Sequence, residues 1–143
     1  MSSWRSDRPG ASGRLAARPS TGQRAEELAA AHLEAAGMRI VARNWRRPEG
    51  ELDIVADDAG TCVFVEVRSR TGDTLGHPLE SITPHKRAQV IRTARLYLSE
   101  LADAAEKAPP VAGYRFDVVG VIFDPEGRAA PVVEHLPNAF EVA

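Results

Sequence analysis

The order of hydrophobic and polar residues along the chain predicts two helices and a set of strands. Apolar residues recur at helical spacing over residues 23–36. They do so again after Thr83, which is a good N-cap with Pro84 at the first helical position. Alternating or continuous apolar runs predict strands at residues 38–44, 51–56, 62–68, 114–123 and, short and weak, 131–135. The predicted order is α-β-β-β-α-β with a small addition, which indicates a single α/β domain with a mixed sheet flanked by helices.

Two of these strands form a predicted hairpin that carries charged residues among its apolar ones. If the hairpin closes symmetrically over residues 57–60, Asp53 lies opposite Phe64 and Glu51 lies opposite Glu66. Opposed side chains share a face of the sheet, so one face is predicted to be apolar and the other partly polar. The apolar face consists of Leu52, Ile54, Val63, Val65 and Val67. The other face consists of Glu51, Asp53, Val55, Cys62, Phe64, Glu66 and Arg68.

The carboxylates on the polar face call for a cation. Like charges opposed across a sheet destabilise it by up to about 1 kcal/mol. Arg68 is one candidate cation. A divalent metal ion is the other, because Mg²⁺ prefers one or two carboxylates together with phosphate oxygens of a substrate. An ordinary solvated sheet face with a Glu–Arg pair is the alternative interpretation, and the geometry of the hairpin alone leaves it open.

Composition limits the classes of protein that the chain can belong to. At 143 residues and 43% hydrophobic, the chain fits one domain with one core. One cysteine and four separated histidines give neither a disulfide framework nor zinc-type spacing. The sequence contains no apolar run of about 20 residues and no signal-peptide pattern near its start. We therefore expect a cytoplasmic protein without a membrane span.

Charge is distributed unevenly although the net charge is only −2. Residues 1–20 carry four arginines against one aspartate in a Ser/Gly/Pro-rich stretch, which predicts a disordered basic tail ahead of a folded domain at residues 21–143. The segment after Leu96 is acidic, whereas residues 39–95 carry a slight excess of bases. A polyanion is therefore expected to meet the tail or the middle of the chain.

Two basic segments are candidates for binding a phosphate backbone. Lys86 and Arg87 lie in the first turn of the second predicted helix, where backbone N–H groups also favour an anion. An ordinary solvated turn explains them equally well. Arg46 and Arg47 follow Trp45, which is interpreted as the edge of the core in preference to a platform for stacking bases.

Four segments together resemble a known family. They are "GQRAEELAAAHLEAAG", "GELDIVADDAGTCVFVEVRSR", "SITPHKRAQVIRTARLYL" and "RFDVV", and they span residues 22–119. This combination is similar to the bacterial YraN-like family of predicted endonucleases, whose fold resembles restriction endonucleases and archaeal Holliday-junction resolvases. Gly50 to Asp53 and Val65 to Arg68 stand where the PD-(D/E)xK nuclease motif would lie.

The resemblance implies a restriction-endonuclease-like domain that cleaves phosphodiester bonds with Mg²⁺ or Mn²⁺. Asp53 and Glu66 would be metal ligands, the Val67 carbonyl a third ligand and Glu26 a supporting acid. Glu51 would hold a second ion or a water molecule. The expected substrate is DNA, including branched or junction DNA. A homodimer and repair or DNA-processing proteins are the expected partners.

Arg68 departs from the nuclease pattern, which has lysine at that place. Arginine stays protonated in proteins and so cannot act as a general base, although it can hold a phosphate oxygen and neutralise charge. Two functions therefore follow from the sequence: an active nuclease in which Arg68 stabilises charge, or a non-catalytic nucleic-acid-binding or interaction module with a degenerate nuclease site.

Overall fold

The fold is given by a computed structural model that describes residues 20–72, 78–104 and 113–141. Its elements are α1 (Thr21–Ala35), β1 (Arg39–Arg47), β2 (Gly50–Asp58), β3 (Thr61–Thr71), a short 3₁₀ helix (Pro78–Ser81), α2 (Pro84–Asp103), β4 (Gly113–Phe123) and β5 (Val132–Phe140). The predicted order of helices and strands is confirmed. Residues 1–19 of the predicted basic tail lie outside the described residues. No described helix combines the length and the apolar character needed to cross a membrane.

The five strands form one mixed sheet in the order β1-β2-β3-β4-β5. The pairs β1–β2, β2–β3 and β4–β5 are antiparallel, whereas β3 and β4 run parallel. A parallel pair needs a crossover connection, and α2 lies in the connection between β3 and β4. The predicted α/β class is therefore confirmed.

Each helix covers its own face of the sheet. One apolar cluster joins Ala25, Ala29 and Leu33 of α1 to alternate residues of the central strands, among them Val65 and Val119. A second cluster joins Val90 and Ala94 of α2 to the intervening residues of the same strands. The buried alternation explains why these strands are almost continuously apolar, because both of their faces are covered.

Local sequence signals cap the starts of both helices and the end of α1. Ser20 and Gln23 form a capping box, in which the Gln23 N–H donates to Ser20 Oγ at 3.1 Å and the Ser20 N–H donates to Gln23 Oε1 at 2.8 Å. Gly37 ends the helical segment with a φ of 95°, as expected for a residue just after a helix. Thr83 is the N-cap of α2 and accepts a hydrogen bond from the Lys86 N–H. The predicted N-cap Thr83 is confirmed, whereas α1 begins two residues before its predicted start.

The register of the β2–β3 hairpin differs from the predicted one by two residues. Val55, not Asp53, pairs with Phe64, because the turn consists of Ala59 and Gly60 alone. Both have positive φ, 50° and 95°, which is the backbone of a two-residue type I′ turn. Side chains alternate between the two faces with a period of two, so a two-residue shift of the register leaves each side chain on its predicted face. A side chain changes its face only where the alternation within its own strand is broken.

The alternation of side chains between the two faces of the sheet breaks between Leu52 and Ile54 of β2. The sequence places Leu52 on the same face as Ile54, but Leu52 packs with the α2 cluster and Ile54 with the α1 cluster. The residues of β1 and β2 pair regularly on both sides of Asn44 and Asp53, but these two residues do not form a pair of the ladder. Asn44, in β1, has a φ of 52°. Leu52 and Ile54 therefore lie on opposite faces of the sheet, and the predicted face of Leu52 is wrong.

Candidate active site

Asp53 and Glu66 lie side by side at the point where the β2–β3 ladder stops. The last regular pair is Ile54 with Val65, and the two acids are the next residue of each strand beyond that pair. Asp53 is 1% exposed and Glu66 is 2% exposed. Carboxylates are rarely buried to this degree without a specific partner or a functional role.

The Asp53 carboxylate takes the place of a backbone acceptor in the sheet. Its Oδ2 accepts a hydrogen bond from the Val67 N–H at 2.9 Å. Val67 directly follows Glu66, so this bond fixes the Asp53 side chain to the β3 segment that carries the second acid. A carboxylate that accepts backbone N–H bonds is favoured in its charged form.

The glycine that opens the "GELD" segment lies against α2. Gly50 has a φ of 152°, and a Cβ atom built on it would lie 2.5 Å from Thr93 Oγ1. A side chain at this position would force β2 and α2 apart. The absence of a side chain at Gly50 therefore lets β2 pack closely on α2. The same helix supplies a cation to Glu66.

That cation is Lys86, in the first turn of α2. Lys86 Nζ lies 3.5 Å from Glu66 Oε1, and its side chain is 23% exposed. Sequence reasoning assigned Lys86 to nucleic-acid binding and missed its contact with Glu66. Spacing along the chain gave no signal for this contact, since it joins a strand to the start of a helix 20 residues later.

Arg68 is directed towards the 3₁₀ helix. Its Nε donates to Ser81 Oγ at 3.0 Å, and its Nη2 donates to the Ser81 carbonyl oxygen at 2.7 Å. Ser81 Oγ in turn donates to the Pro78 carbonyl oxygen at 2.6 Å. Arg68 is buried, so its guanidinium is held by two bonds to one residue inside the fold.

The remaining predicted acids differ in their surroundings. Glu26 is 3% exposed on α1, whose residues pack on β1, β2 and β3. Glu51 pairs with Arg46 of the neighbouring strand, with Arg46 Nε 3.2 Å from Glu51 Oε2. The structure therefore joins a predicted catalytic acid to a predicted nucleic-acid-binding residue.

Arg47 is also occupied by a carboxylate. It donates from Nε and Nη2 to the two oxygens of Glu100 at 2.9 and 2.7 Å, and its guanidinium lies 4.0 Å from the centroid of the Trp45 ring. Trp45 packs on the α2 cluster and meets Tyr97 edge to face, so its interpretation as the edge of the core is confirmed. The bidentate pair raises the pKa of Arg47 through the Glu100 hydrogen bonds.

The donors at this site suit a hard divalent ion held in part by its substrate. Among residues 20–72, 78–104 and 113–141, no three His, Cys, Asp or Glu side chains form a ready-made metal cluster. A structural zinc site, which needs four such ligands, is not formed by this part of the chain. Two adjacent carboxylates fit Mg²⁺ or Mn²⁺, since Mg²⁺ is commonly held by one or two carboxylates plus substrate phosphates and water.

A thiol nucleophile does not fit the site. Cys62 is buried, and burial together with the Asp57 charge raises the pKa of its thiol to about 11. A thiol with such a pKa is almost entirely protonated at neutral pH, and the thiolate is the nucleophilic form. Cys62 is therefore part of the core.

A second buried polar cluster lies on β4 and β5. Asp117, at 0% exposure, accepts hydrogen bonds from Arg115 Nε at 3.0 Å and from the Asn138 N–H at 2.9 Å. Its Oδ2 lies 2.8 Å from His135 Nε2. Asp117 therefore pairs with Arg115, two residues earlier on the same strand. His135 is largely buried in this cluster, and the centroid of the His32 ring lies 5.7 Å from that of His135.

Comparison with known proteins gives a consistent family assignment. Residues 25–121 match the family described as "Uncharacterised protein family UPF0102". A UPF0102 protein of Acidothermus cellulolyticus is 44% identical over 132 residues, covering 90% of this chain and 98% of that protein. A UPF0102 protein of Nocardia farcinica is 46% identical over 127 residues, covering 89% and 94% of the two chains. A third, from Chlorobaculum parvum, is 42% identical over 125 residues, covering 85% and 92%.

Proposed function

The chain belongs to the UPF0102 family, which bears out the YraN-like relationship predicted from its sequence, and from this premise we propose that it is a metal-dependent nuclease of the PD-(D/E)xK type. The reaction would be hydrolysis of a phosphodiester bond in DNA, including branched or junction DNA. The observation that carries the proposal is the pair of buried carboxylates, Asp53 and Glu66, at the end of the β2–β3 ladder.

The local backbone supports a third ligand. The Val67 N–H donates towards β2, to Asp53. The N–H and C=O of one strand residue point to the same edge, so the Val67 carbonyl is directed towards the same neighbour. Asp53, Glu66 and the Val67 carbonyl are therefore the groups that would hold Mg²⁺ or Mn²⁺. When bound, the ion would polarise the scissile phosphate and lower the pKa of an attacking water.

The residues of the chain have distinct parts in this reaction. Asp53 is held in orientation by the Val67 N–H. Glu66 lies within reach of Lys86, so the site offers a carboxylate and a cation on adjacent elements. Phosphate is recognised by such cations at the start of a helix, where backbone N–H groups also favour an anion. Glu26 is a supporting acid in this proposal. The protein would act as a homodimer, in which each subunit cuts one of the two DNA strands.

The test removes the charge of each acid without changing its shape. Asp53→Asn and Glu66→Gln are expected to abolish calorimetric Mn²⁺ binding and cleavage of linear, flapped and four-way DNA. Their denaturant midpoints without metal should equal or slightly exceed that of the wild type, because repulsion between buried carboxylates is relieved.

A structural role predicts the opposite behaviour. Breaking a buried ion pair costs about 3–5 kcal/mol, because it leaves a charge without its counter-charge. If both variants are clearly destabilised and the wild type binds no Mn²⁺, the nuclease proposal is wrong. DNA binding that persists in such a protein would then favour the non-catalytic binding module.

A further inference from the structure

We propose that Lys86 of α2 supplies the cation that meets the scissile phosphate, and that Arg68 is a positioning residue for the segment that presents Lys86. This inference rests on the proposed nuclease function. It reverses the roles expected from the sequence, where Arg68 stands at the lysine position of the motif and Lys86 belongs to a separate phosphate-binding turn.

The bonds of Arg68 lead to the 3₁₀ helix. Nε and Nη2 form a fork on Ser81, at 3.0 Å to the hydroxyl and 2.7 Å to the carbonyl oxygen. The rigid, planar guanidinium fits two such acceptors at once, which a lysine ammonium cannot reproduce. Ser81 transmits the constraint to Pro78 through its own hydroxyl, at 2.6 Å. Arg68 is therefore bonded to the last residue of the 3₁₀ helix.

The 3₁₀ helix leads directly into the start of α2. Ile82 follows Ser81 and is buried in the α2 cluster, and Thr83 is the N-cap. Thr83 Oγ1 accepts a hydrogen bond from the Lys86 N–H at 3.1 Å. The position of the Lys86 backbone is thus set by a continuous series of bonds and contacts that begins at Arg68.

Lys86 is accessible to a substrate, whereas Arg68 is buried. Its ammonium lies 3.5 Å from Glu66 Oε1, and 23% of its side chain is exposed, whereas Arg68 is buried. An ammonium group has three donors, so one group can contact Glu66 and a phosphate oxygen together. An arginine at the motif position therefore does not deprive the site of a cation, because the cation comes from the neighbouring helix.

Lys86 acts by its charge in this step and transfers no proton. In the hydrolysis, water forms a new bond to phosphorus while the bond from phosphorus to the leaving oxygen breaks. The water releases a proton to solvent, and the leaving oxygen takes one up. Negative charge grows on the phosphoryl oxygens during this exchange, and a preorganised cation stabilises it.

Four variants separate the two roles: Lys86→Gln, Lys86→Arg, Arg68→Lys and, as a control, Arg128→Gln. Arg128 is an exposed cation in the β4–β5 turn, 3.3 Å from Glu126. Each protein is measured for single-turnover DNA cleavage, Mn²⁺ affinity without DNA, and denaturant midpoint.

Lys86→Gln should lower the cleavage rate by about 10²–10³-fold, the usual effect of removing one preorganised donor. Its Mn²⁺ affinity should rise by about threefold to tenfold, because a positive charge beside Glu66 has been removed. Its denaturant midpoint should fall only slightly, because the Lys86 side chain is 23% exposed and the ion pair with Glu66 is only partly buried. Lys86→Arg keeps the charge and should lose much less of the rate.

Arg68→Lys keeps the charge but cannot form the fork on Ser81. Its denaturant midpoint and its cleavage rate should therefore fall together. Arg128→Gln should match the wild type in all three measurements.

Two results overturn the inference alone, and in both of them the wild type binds Mn²⁺ and cuts DNA. In the first, the Lys86→Gln variant cuts DNA at the same rate as the wild type. In the second, the Lys86→Gln variant binds Mn²⁺ more weakly than the wild type. The second result would mean that Lys86 merely holds Glu66 in place. A wild type that neither binds Mn²⁺ nor cuts DNA overturns the proposed function, and the inference with it.

Discussion

Asp117 is the most fully bonded acid outside the candidate active site. Burial raises the pKa of Asp117, but the hydrogen bonds that it accepts outweigh this effect and leave the pKa below its ordinary value. His135 and Arg115 donate to it from β5 and β4, and Asp58 contacts the same Arg115 at 2.9 Å. The edge strand β5 is therefore joined to β4 by charge as well as by the backbone ladder.

The lowered pKa of Asp117 predicts a pH-dependent contribution to stability. A depressed carboxyl pKa stabilises the fold above the unfolded pKa of about 3.9, and this stabilisation is lost as the pH falls towards the lower folded value. Asp117→Asn should therefore cost about 2–3 kcal/mol at pH 7. The difference from the wild type should shrink steadily below about pH 4.

Denaturant midpoints between pH 3 and pH 7 measure this effect. Glu126→Gln, an exposed acid in the β4–β5 turn, is a suitable control, since its only described ion pair is with Arg128 on the surface. A constant difference between wild type and Asp117→Asn over the whole pH range would contradict the prediction.

At the scale of elements, the β2–β3 turn is a place where a substitution can raise the free energy of unfolding. Ala59 has a φ of 50°, a left-handed conformation that costs a residue with a Cβ about 1–2 kcal/mol. Asparagine adopts this conformation more readily, and Asn-Gly is the favoured type I′ sequence. Ala59→Asn should therefore raise the free energy of unfolding by about 1 kcal/mol. Ala59→Val, with a β-branched side chain, should lower it, and a similar midpoint for both variants would contradict the turn assignment.

The same turn shows what the sequence can and cannot predict about elements. The alternation in β2 and β3 predicts two strands and their faces, because a two-residue shift preserves the faces. It does not fix the register, since "DDAG" permits a turn of either two or four residues. The strand β5 is longer than predicted because it lies at the edge of the sheet, where exposed positions and Pro137 weaken the apolar pattern.

In the candidate active site, too, the sequence predicts some features and not others. Asp53 and Glu66 are predictable, since each interrupts an apolar strand at a fixed distance from the turn. The partners of Arg68 and Lys86 are not, because one contact joins β3 to the 3₁₀ helix and the other joins β3 to the start of α2. A four-residue helix has no periodicity from which it can be predicted.

At the scale of the whole molecule, the distribution of paired and unpaired cations decides where a polyanion can bind. The net charge is only −2, so affinity for DNA must come from local arrangement. Arg46 and Arg47 each have a carboxylate within salt-bridge distance, which neutralises them. In the described part of the chain, Arg87 has no carboxylate partner. Its Nε donates to the Ile82 carbonyl oxygen at 3.2 Å, which leaves its Nη groups without a described acceptor.

This difference predicts unequal effects of two matched substitutions on DNA binding. Each phosphate contact that is lost removes about 0.9 from the slope of log affinity against log salt, because fewer counterions are released. Arg87→Gln should lower that slope by about one contact. Arg47→Gln should leave the slope nearly unchanged, because Glu100 already neutralises the guanidinium. The measurement is a salt titration of binding to a fixed DNA duplex without divalent metal, so that cleavage does not interfere. An equal loss of slope in both variants would mean that DNA displaces Glu100 from Arg47, and the binding surface would then extend from the start of α2 to the end of β1.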